Sequence, residues 1–156
     1  MNWHFNNSNS YTGGILNTYE IKTNLVQVLL CSALLAASVG AHAEVVIVTG
    51  SGTPTGSMSK EQVSDIFLGK SKSLTPLDQP SSSPLREEFY TKVTGKSAAQ
   101  AKSHWSKLSF TGKGTPPKEG RNSDDIKRQV AADPKLIGYI EKSDVDSSVK
   151  VIFAAQ

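Results

Sequence analysis

Residues 81–89 read Ser81-Ser82-Ser83-Pro84-Leu85-Arg86-Glu87-Glu88-Phe89, which places three hydroxyl residues at the start of a predicted helix. Ser83 is a favoured N-cap residue, and Pro84 suits the first helical position because the N–H that proline lacks would have no partner there. The backbone N–H groups of such a turn carry partial positive charge and can bind phosphate, sulfate or carboxylate. Simple helix capping explains the same pattern. Glu87 and Glu88 favour capping, because carboxylates in a first turn already neutralise the dipole that an anion would use.

The apolar residues on either side of this turn predict an α/β domain. Gln62 and Gln100 complete capping boxes at the starts of two helices, and Gly69 and Gly95 end helices. The order β-α-β-α-α-α-β-β predicts helices packed on a small mixed sheet, and Phe110–Gly120 is predicted to be a loop. The predicted strands are Glu44–Val48, Ser73–Gln79, Leu136–Glu141 and Val149–Phe153, and the predicted helices are capped by Ser59, Ser83, Ser97 and either Asn122 or Ser123.

A second hydroxyl-rich loop follows the first predicted strand. Residues 50–57 read Gly-Ser-Gly-Thr-Pro-Thr-Gly-Ser. Small residues let backbone N–H groups approach an anion, and the hydroxyls can donate further hydrogen bonds. Ser51, Gly52, Thr53 and Ser57 are therefore candidate ligand-binding residues, although loops of this composition also serve as plain connections in exported proteins.

The first 43 residues have the pattern of a cleaved secretory signal peptide. Leu25–Val39 is apolar, Lys22 precedes it, and Gly40-Ala41-His42-Ala43 follows as a cleavage site of small residues. The apolar run is about 15 residues long, shorter than the roughly 20 that span a bilayer. We expect cleavage after Ala43, export from the cytoplasm, and one mature domain at residues 44–156.

The composition of the mature range argues against several kinds of site. Its only histidine is His104, expected on a helix surface, and the single cysteine, Cys31, lies in the predicted leader. A thiolate metal site or a catalytic triad is therefore not expected. Three Gly-Lys pairs, at residues 69–70, 95–96 and 112–113, lack the pattern of a P-loop and fit helix ends. The lysines alternate with acids, which disfavours nucleic acid as a partner. We expect no enzymatic activity, no metal and no cofactor.

Four further motifs bear on the fold and function. They are Ile66-Phe67-Leu68-Gly69-Lys70, Ser83-Pro84-Leu85-Arg86-Glu87-Glu88-Phe89, Thr111-Gly112-Lys113-Gly114 and Ile137-Gly138-Tyr139-Ile140. Together they resemble the substrate-binding protein family of phosphate ABC transporters. The resemblance covers nearly all of residues 44–156 and is closest to short periplasmic members that contain about one lobe. It implies an α/β single lobe of a periplasmic-binding-protein fold (type 2-like), with a small mixed sheet flanked by helices.

In that family an anion is held partly by a Ser-Gly-Thr segment at a helix start and by an Arg and an Asp just before it. The resemblance places Ser83 on the serine, but it places Pro84 and Leu85 on the glycine and threonine. Gln79 stands near the position of the arginine, and Pro80 or Ser81 replaces the aspartate. Arg86 has two open alternatives: it reaches back to the anion, or it pairs with an acid on the protein surface.

These observations predict a periplasmic, noncatalytic protein that binds phosphate or a related oxyanion. The candidate ligand-binding residues are Ser51, Gly52, Thr53, Ser57, Ser81, Ser82, Ser83 and Arg86. One lobe leaves the site open to water, so closure requires a second copy or another protein, and an ABC transporter permease or a different envelope protein is the expected partner. The alternative is an envelope interaction module that kept the fold and lost ligand binding.

Overall fold

The computed structural model of the protein describes residues 44–155. The predicted leader and its cleavage site lie outside the described residues. Within the described range, no helix combines the length and the apolar character that crossing a membrane demands.

Five strands form one mixed sheet. The strand order is β3-β2-β4-β1-β5, so β1 lies between β4 and β5. β1 is antiparallel to both neighbours, whereas β2 is parallel to β4 and to β3. The strands are β1 (Val45–Gly50), β2 (Thr75–Asp78), β3 (Lys118–Glu119), β4 (Leu136–Glu141) and β5 (Val149–Ala155).

Helices connect the strands. Both predicted capping boxes are present, Ser59 with Gln62 and Ser97 with Gln100, and Asn122 rather than Ser123 caps the last α-helix. The helices are α1 (Lys60–Phe67), α2 (Pro84–Phe89), a π-helical turn (Tyr90–Thr94) that continues α2, α3 (Ala98–Phe110), α4 (Ser123–Ala132) and a short 3-10 helix (Lys142–Asp144).

The predicted loop at residues 110–120 is wrong at both of its ends. Phe110 is the last residue of α3, and Lys118–Glu119 forms β3. Strand pairing explains β3, because the N–H of Gly120 donates to the carbonyl of Asp78 at 2.9 Å and extends the parallel ladder with β2. A two-residue strand is too short to show a period of two in the sequence.

β1 separates two hydrophobic clusters because successive side chains of a strand point to opposite faces. Val45 and Ile47 face the cluster formed with α1, α2 and the π-helical turn. Val46 and Val48 face the cluster formed with Ile126 and other residues of α4 and β4. Helices therefore cover both faces of the sheet, and the α/β fold class with a small mixed sheet flanked by helices is confirmed.

Candidate functional site

A buried carboxylate lies at the end of β2. The side chain of Asp78, whose residue is only 1% exposed, accepts hydrogen bonds from the hydroxyls of Tyr90, at 2.9 Å, and Tyr139. The backbone N–H of Gln79 donates to the same carboxylate at 2.9 Å. Nη2 of Arg86 lies 3.0 Å from Oδ2 of Asp78. Four groups from three parts of the chain thus converge on one carboxylate, and we call these five residues the Asp78 cluster.

Burial sets the protonation states in the Asp78 cluster. Burial raises the pKa of Asp78, and the hydrogen bonds of Tyr139 and Tyr90 and the charge of Arg86 offset only part of that rise. Burial and the neighbouring carboxylate raise the pKa of Tyr90 and Tyr139 far above the usual range for tyrosine. Both hydroxyls therefore stay protonated and donate to Asp78 at any physiological pH.

Arg86 pairs with two protein carboxylates, as one of the two alternatives from the sequence predicted. Its Nη1 donates to Oε1 of Glu119 on β3 at 2.5 Å and to the carbonyl of Gln79 at 3.1 Å, while Nη2 pairs with Asp78. Burial lowers the pKa of Arg86, but the bond with Glu119 and the two negative charges raise it more. A guanidinium has five N–H donors. Two of those donors have no partner within residues 44–155.

Gln79, which stands near the position of the arginine in the family, has a structural role. The residue is 2% exposed. Its Nε2 donates to the carbonyl of Tyr139 at 3.0 Å and to the hydroxyl of Ser123 at 3.2 Å. Gln79 thereby joins the end of β2 to β4 and to the first residue of α4, so its amide is directed away from the surface.

The Ser81–Ser83 segment forms a turn into α2. The N–H of Ser83 donates to the carbonyl of Pro80 at 2.9 Å, and the N–H of Arg86 donates to the carbonyl of Ser83 at 3.2 Å. Ser83 occupies the N-cap position, as predicted, but its hydroxyl makes no capping hydrogen bond. Within the described residues these three hydroxyls have no hydrogen-bond partner, and of the three serines only Ser81 lines the cleft between this turn and α3.

The two glutamates of α2 are engaged elsewhere. Oε2 of Glu87 accepts from the N–H of Ala98 at 2.9 Å, at the first turn of α3. Glu88 pairs with Lys92 at 2.9 Å. These contacts weaken the argument that the carboxylates of α2 neutralise the turn at Ser81–Ser83.

An open cleft of about 500 Å³ lies between this turn and α3. Ser81 and Arg86 line one side. Lys102 and Trp105 of α3 line the other, and Glu119 lies at the margin beside Arg86. The cleft therefore combines a hydroxyl, two cationic side chains and one carboxylate with an apolar wall, an arrangement that suits a small anion.

The structure does not bring the Ser51–Ser57 loop to this cleft, whose lining includes Ser81 and Arg86 but no residue of that loop. Because β1 is antiparallel to β4, residues after Gly50 leave the sheet where β4 begins. Because β2 is parallel to β4, residues after Asp78 leave where β4 ends. The Ser51–Ser57 loop packs against β5 instead, where Lys150 donates to the carbonyl of Thr53.

The remaining candidates are structural. His104 is half-buried rather than on the helix surface, and its Nε2 lies 2.9 Å from the carbonyl of Leu68. Nε1 of Trp105 donates to the carbonyl of Phe67 at 3.1 Å, so two adjacent residues of α3 bind the end of α1. The glycines of the three Gly-Lys pairs have positive φ after helices, which confirms the prediction that they end helices.

Three solved structures share this fold. A putative phosphate ABC transporter substrate-binding protein with bound phosphate from Clostridium perfringens is 22% identical, with a TM-score of 0.57. An ABC-type phosphate transport receptor from Vibrio cholerae is 18% identical (TM-score 0.56), and PstS from Borrelia burgdorferi is 12% identical (TM-score 0.53). The chain has the fold of phosphate ABC transporter substrate-binding proteins. No protein-family model matches it, and no curated protein does either.

The similarity covers one part of a larger architecture. The matched region is 70% of this chain but only 44%, 45% and 46% of the three structures. The chain thus spans less than half the length of the structures it matches, as the prediction of a short, single-lobe protein requires.

The sequence reasoning missed Asp78, which holds Arg86 in place, and Tyr139, which donates to Asp78; neither residue lines the cleft itself. Asp78 directly follows Leu77 near the end of the predicted strand Ser73–Gln79, where an acid is usually exposed. Tyr139 lies between Gly138 and Ile140 in the next apolar strand. Asp78 and Tyr139 stand near the ends of two predicted strands. Their contact could have been predicted only if the pairing of those two strands had been known.

Proposed function

We propose that this protein binds phosphate or a related oxyanion, without catalysis, in the cleft between the Ser81–Ser83 turn and α3. One observation carries the proposal: Ser81, Arg86 and Lys102 line the same cleft. The fold is shared with a structure described as having bound phosphate, which supports the choice of anion.

The cationic groups have different roles in this proposal. Arg86 is held in place by Asp78 and Glu119, so its two remaining N–H donors have a fixed direction. Lys102 is exposed and supplies a mobile charge. Charge-assisted hydrogen bonds from such groups are roughly twice as strong as bonds between neutral groups.

Glu119 is expected to make the cleft selective for phosphate over sulfate. A carboxylate repels a fully ionised anion, whereas it accepts a hydrogen bond from an anion that still carries a proton. Phosphate carries such a proton at neutral pH and sulfate does not. We therefore expect phosphate to bind more tightly than sulfate.

Because one side of the cleft is open to solvent, tight anion binding requires another protein molecule to cover it. Solvent reaches the bound anion, so each charged hydrogen bond is weakened by the high dielectric and by salt. We propose that the single lobe binds phosphate weakly by itself. A second copy, or an envelope protein such as an ABC transporter permease, covers the anion in the periplasm.

A second candidate function is an envelope interaction module without a ligand. The pairing of Arg86 with two carboxylates favours it, because the charge nearest the turn is already neutralised. In this case the cleft is a remnant of the fold, and the protein acts only through its surface.

Isothermal titration calorimetry separates the two functions. Phosphate and sulfate are titrated into protein purified from cells that express the full chain, at low and at physiological salt. Saturating heat with phosphate, at a dissociation constant of about 1 mM or below, supports anion binding. Absence of heat at tenfold higher phosphate contradicts it and favours the interaction module.

A further inference from the structure

Phe110, at the C-terminal end of α3, is 93% exposed. The other exposed large hydrophobic side chain within the described residues is Val151, at 42%. A phenylalanine in this position leaves nearly all of its apolar surface in water, although burial of such surface is the main source of stability and binding. The exposed ring of Phe110 therefore contributes little to the stability of the folded protein.

Lysines surround this ring without acidic neighbours in the sequence. Residues 89–118 contain six lysines and neither aspartate nor glutamate, so the expectation that lysines alternate with acids is wrong for this segment. Lys107 precedes Phe110 by three residues, and Lys113 follows it by three. Lys72, from the connection between α1 and β2, lines one cavity together with Lys113.

The positive charge of these lysines is not compensated nearby. None of Lys72, Lys107 and Lys113 forms an ion pair within residues 44–155. Lysines elsewhere do form such pairs, for example Lys92 with Glu88. We call Phe110 together with Lys72, Lys107 and Lys113 the α3 tip.

Hydrogen bonds hold the backbone of the α3 tip in one conformation. The N–H of Lys113 donates to the carbonyl of Leu108 at 2.9 Å, and the N–H of Gly112 donates to the carbonyl of Ser109 at 3.1 Å. Gly112 has φ 68°, which completes a helix end of the Schellman type. The ring and the two flanking lysines are thus presented by a turn that needs little further ordering before it binds.

We propose that the α3 tip docks on the surface of an anionic phospholipid bilayer. Phe110 enters the boundary between headgroups and acyl chains, and Lys72, Lys107 and Lys113 lie among the lipid phosphates. An aromatic side chain and basic residues are the two contributions that together give stable binding at a membrane surface. Neither contribution suffices alone.

Charge argues against a second copy as the occupant. A symmetric dimer through the α3 tip would bring two sets of three lysines together, because a two-fold contact joins the same patch of both copies. Anionic lipid offers the complementary charge and an apolar layer for the ring. The α3 tip is also independent of the proposed phosphate site, because none of its four residues lines that cleft.

Co-sedimentation with vesicles tests the proposal. Protein purified from cells that express the full chain, with its N-terminus determined, is mixed with vesicles of about 30% phosphatidylglycerol in phosphatidylcholine, or of phosphatidylcholine alone. We expect binding only to the anionic vesicles and loss of that binding at about 1 M salt, where the Debye length is about 3 Å.

Variants separate the ring from the charges. Phe110→Ser is expected to lower partition into anionic vesicles about tenfold, and each of Lys107→Gln and Lys113→Gln about fivefold. Val151→Ser and Lys60→Gln are the matched controls, since they remove an exposed hydrophobic side chain and an unpaired lysine elsewhere. All five altered residues are exposed, so unchanged melting temperatures confirm that the variants fold.

Three results would overturn the proposal. One is wild-type protein that stays in solution with anionic vesicles. A second is a control variant that loses as much binding as Phe110→Ser. The third is a dimer in light scattering that Phe110→Ser dissociates, which would make the α3 tip a contact between copies.

Discussion

The two ends of the sheet carry loops that look alike in sequence and differ in chemistry. Both Ser51–Ser57 and Ser81–Ser83 are rich in hydroxyls and follow a strand. The second loop leaves β2 beside Asp78, Arg86 and two buried tyrosines. The first leaves β1 at the opposite end, where Thr53 is buried and Lys150 binds a backbone carbonyl. Two loops of similar hydroxyl content therefore lie beside different charged groups, and only the second borders the cleft proposed to bind an anion.

Among substitutions at the two ends of the sheet, we expect the largest loss of stability from a change at Asp78. Asp78→Ala leaves the half-buried Arg86 without its buried partner and two tyrosine hydroxyls without an acceptor. Removing one partner of a buried ion pair costs about 3–5 kcal/mol. Urea denaturation measures the loss of unfolding free energy.

Asp78→Asn is the matched variant, because it keeps one oxygen acceptor for Tyr139 and replaces the other oxygen, the partner of Tyr90 and Arg86, with an uncharged amide NH2. It should lose less stability than Asp78→Ala. Equal losses below about 1 kcal/mol in both variants would show that the Asp78 cluster does not stabilise this end of the sheet.

A second difference concerns phosphate affinity. Lys102→Ala should weaken binding by about tenfold and Ser81→Ala by about threefold, since charge-assisted bonds contribute more than neutral ones. At the other end, Ser57→Ala and Lys60→Ala should leave the affinity unchanged. Calorimetry measures the phosphate affinity of all four variants. Equal losses of affinity in the cleft variants and in the variants at the other end would contradict the proposed location of the site.

The two ends should also respond to pH in opposite directions. Burial raises the pKa of Asp78 above its ordinary value of 3.8. The part of its contribution that depends on proton binding is therefore complete below pH 3.8 and is lost as the pH rises through the raised pKa, while its hydrogen bonds and its contact with Arg86 are a separate contribution. At the other end, bonds from Ser148 and Lys127 lower the pKa of Asp146 to about 2. That contribution is present above pH 3.8 and is lost as the pH falls through about 2.

Urea midpoints across pH 2–7 check this prediction. The difference between wild type and Asp78→Asn should move in favour of wild type as the pH falls toward 4. The difference between wild type and Asp146→Asn should shrink below pH 4. Parallel curves for the two variants would mean that the two carboxylates experience the same environment.

The smallest effect is expected at Thr53. Its hydroxyl is buried and has no hydrogen-bond partner in the described part of the chain. Thr53→Val keeps the shape and removes the unsatisfied group, so the variant should be unchanged or up to about 1 kcal/mol more stable. Destabilisation by more than that amount, measured by urea denaturation, would show that the hydroxyl has a partner after all.

The sequence predicted the local structure better than the site. Capping boxes at Ser59 and Ser97 and helix ends at Gly69 and Gly95 depend on residues within four positions of each other, so a single sequence reveals them. The direction of β1 depends on its partners. Val45–Gly50 is apolar throughout and reads the same in a parallel or an antiparallel strand.

The Asp78 cluster could not be predicted for the same reason. Asp78 and Tyr139 are 61 residues apart and meet only because β2 pairs with β4. Arg86 meets Glu119 only through β3, a strand of two residues. The resemblance located the turn at Ser81–Ser83, but it could not show that Arg86 already had carboxylate partners.

Trp105 provides a fluorescent side chain in the wall of the cleft. The other tryptophan of the chain, Trp3, lies in the predicted leader, so a mature protein beginning at Glu44 has one tryptophan. Its indole lines the cleft, and its N–H is anchored to the carbonyl of Phe67. The tryptophan fluorescence of a chain beginning at Glu44 therefore comes from a single ring beside the proposed phosphate site, and we expect its emission to change when an anion enters the cleft, without an added label.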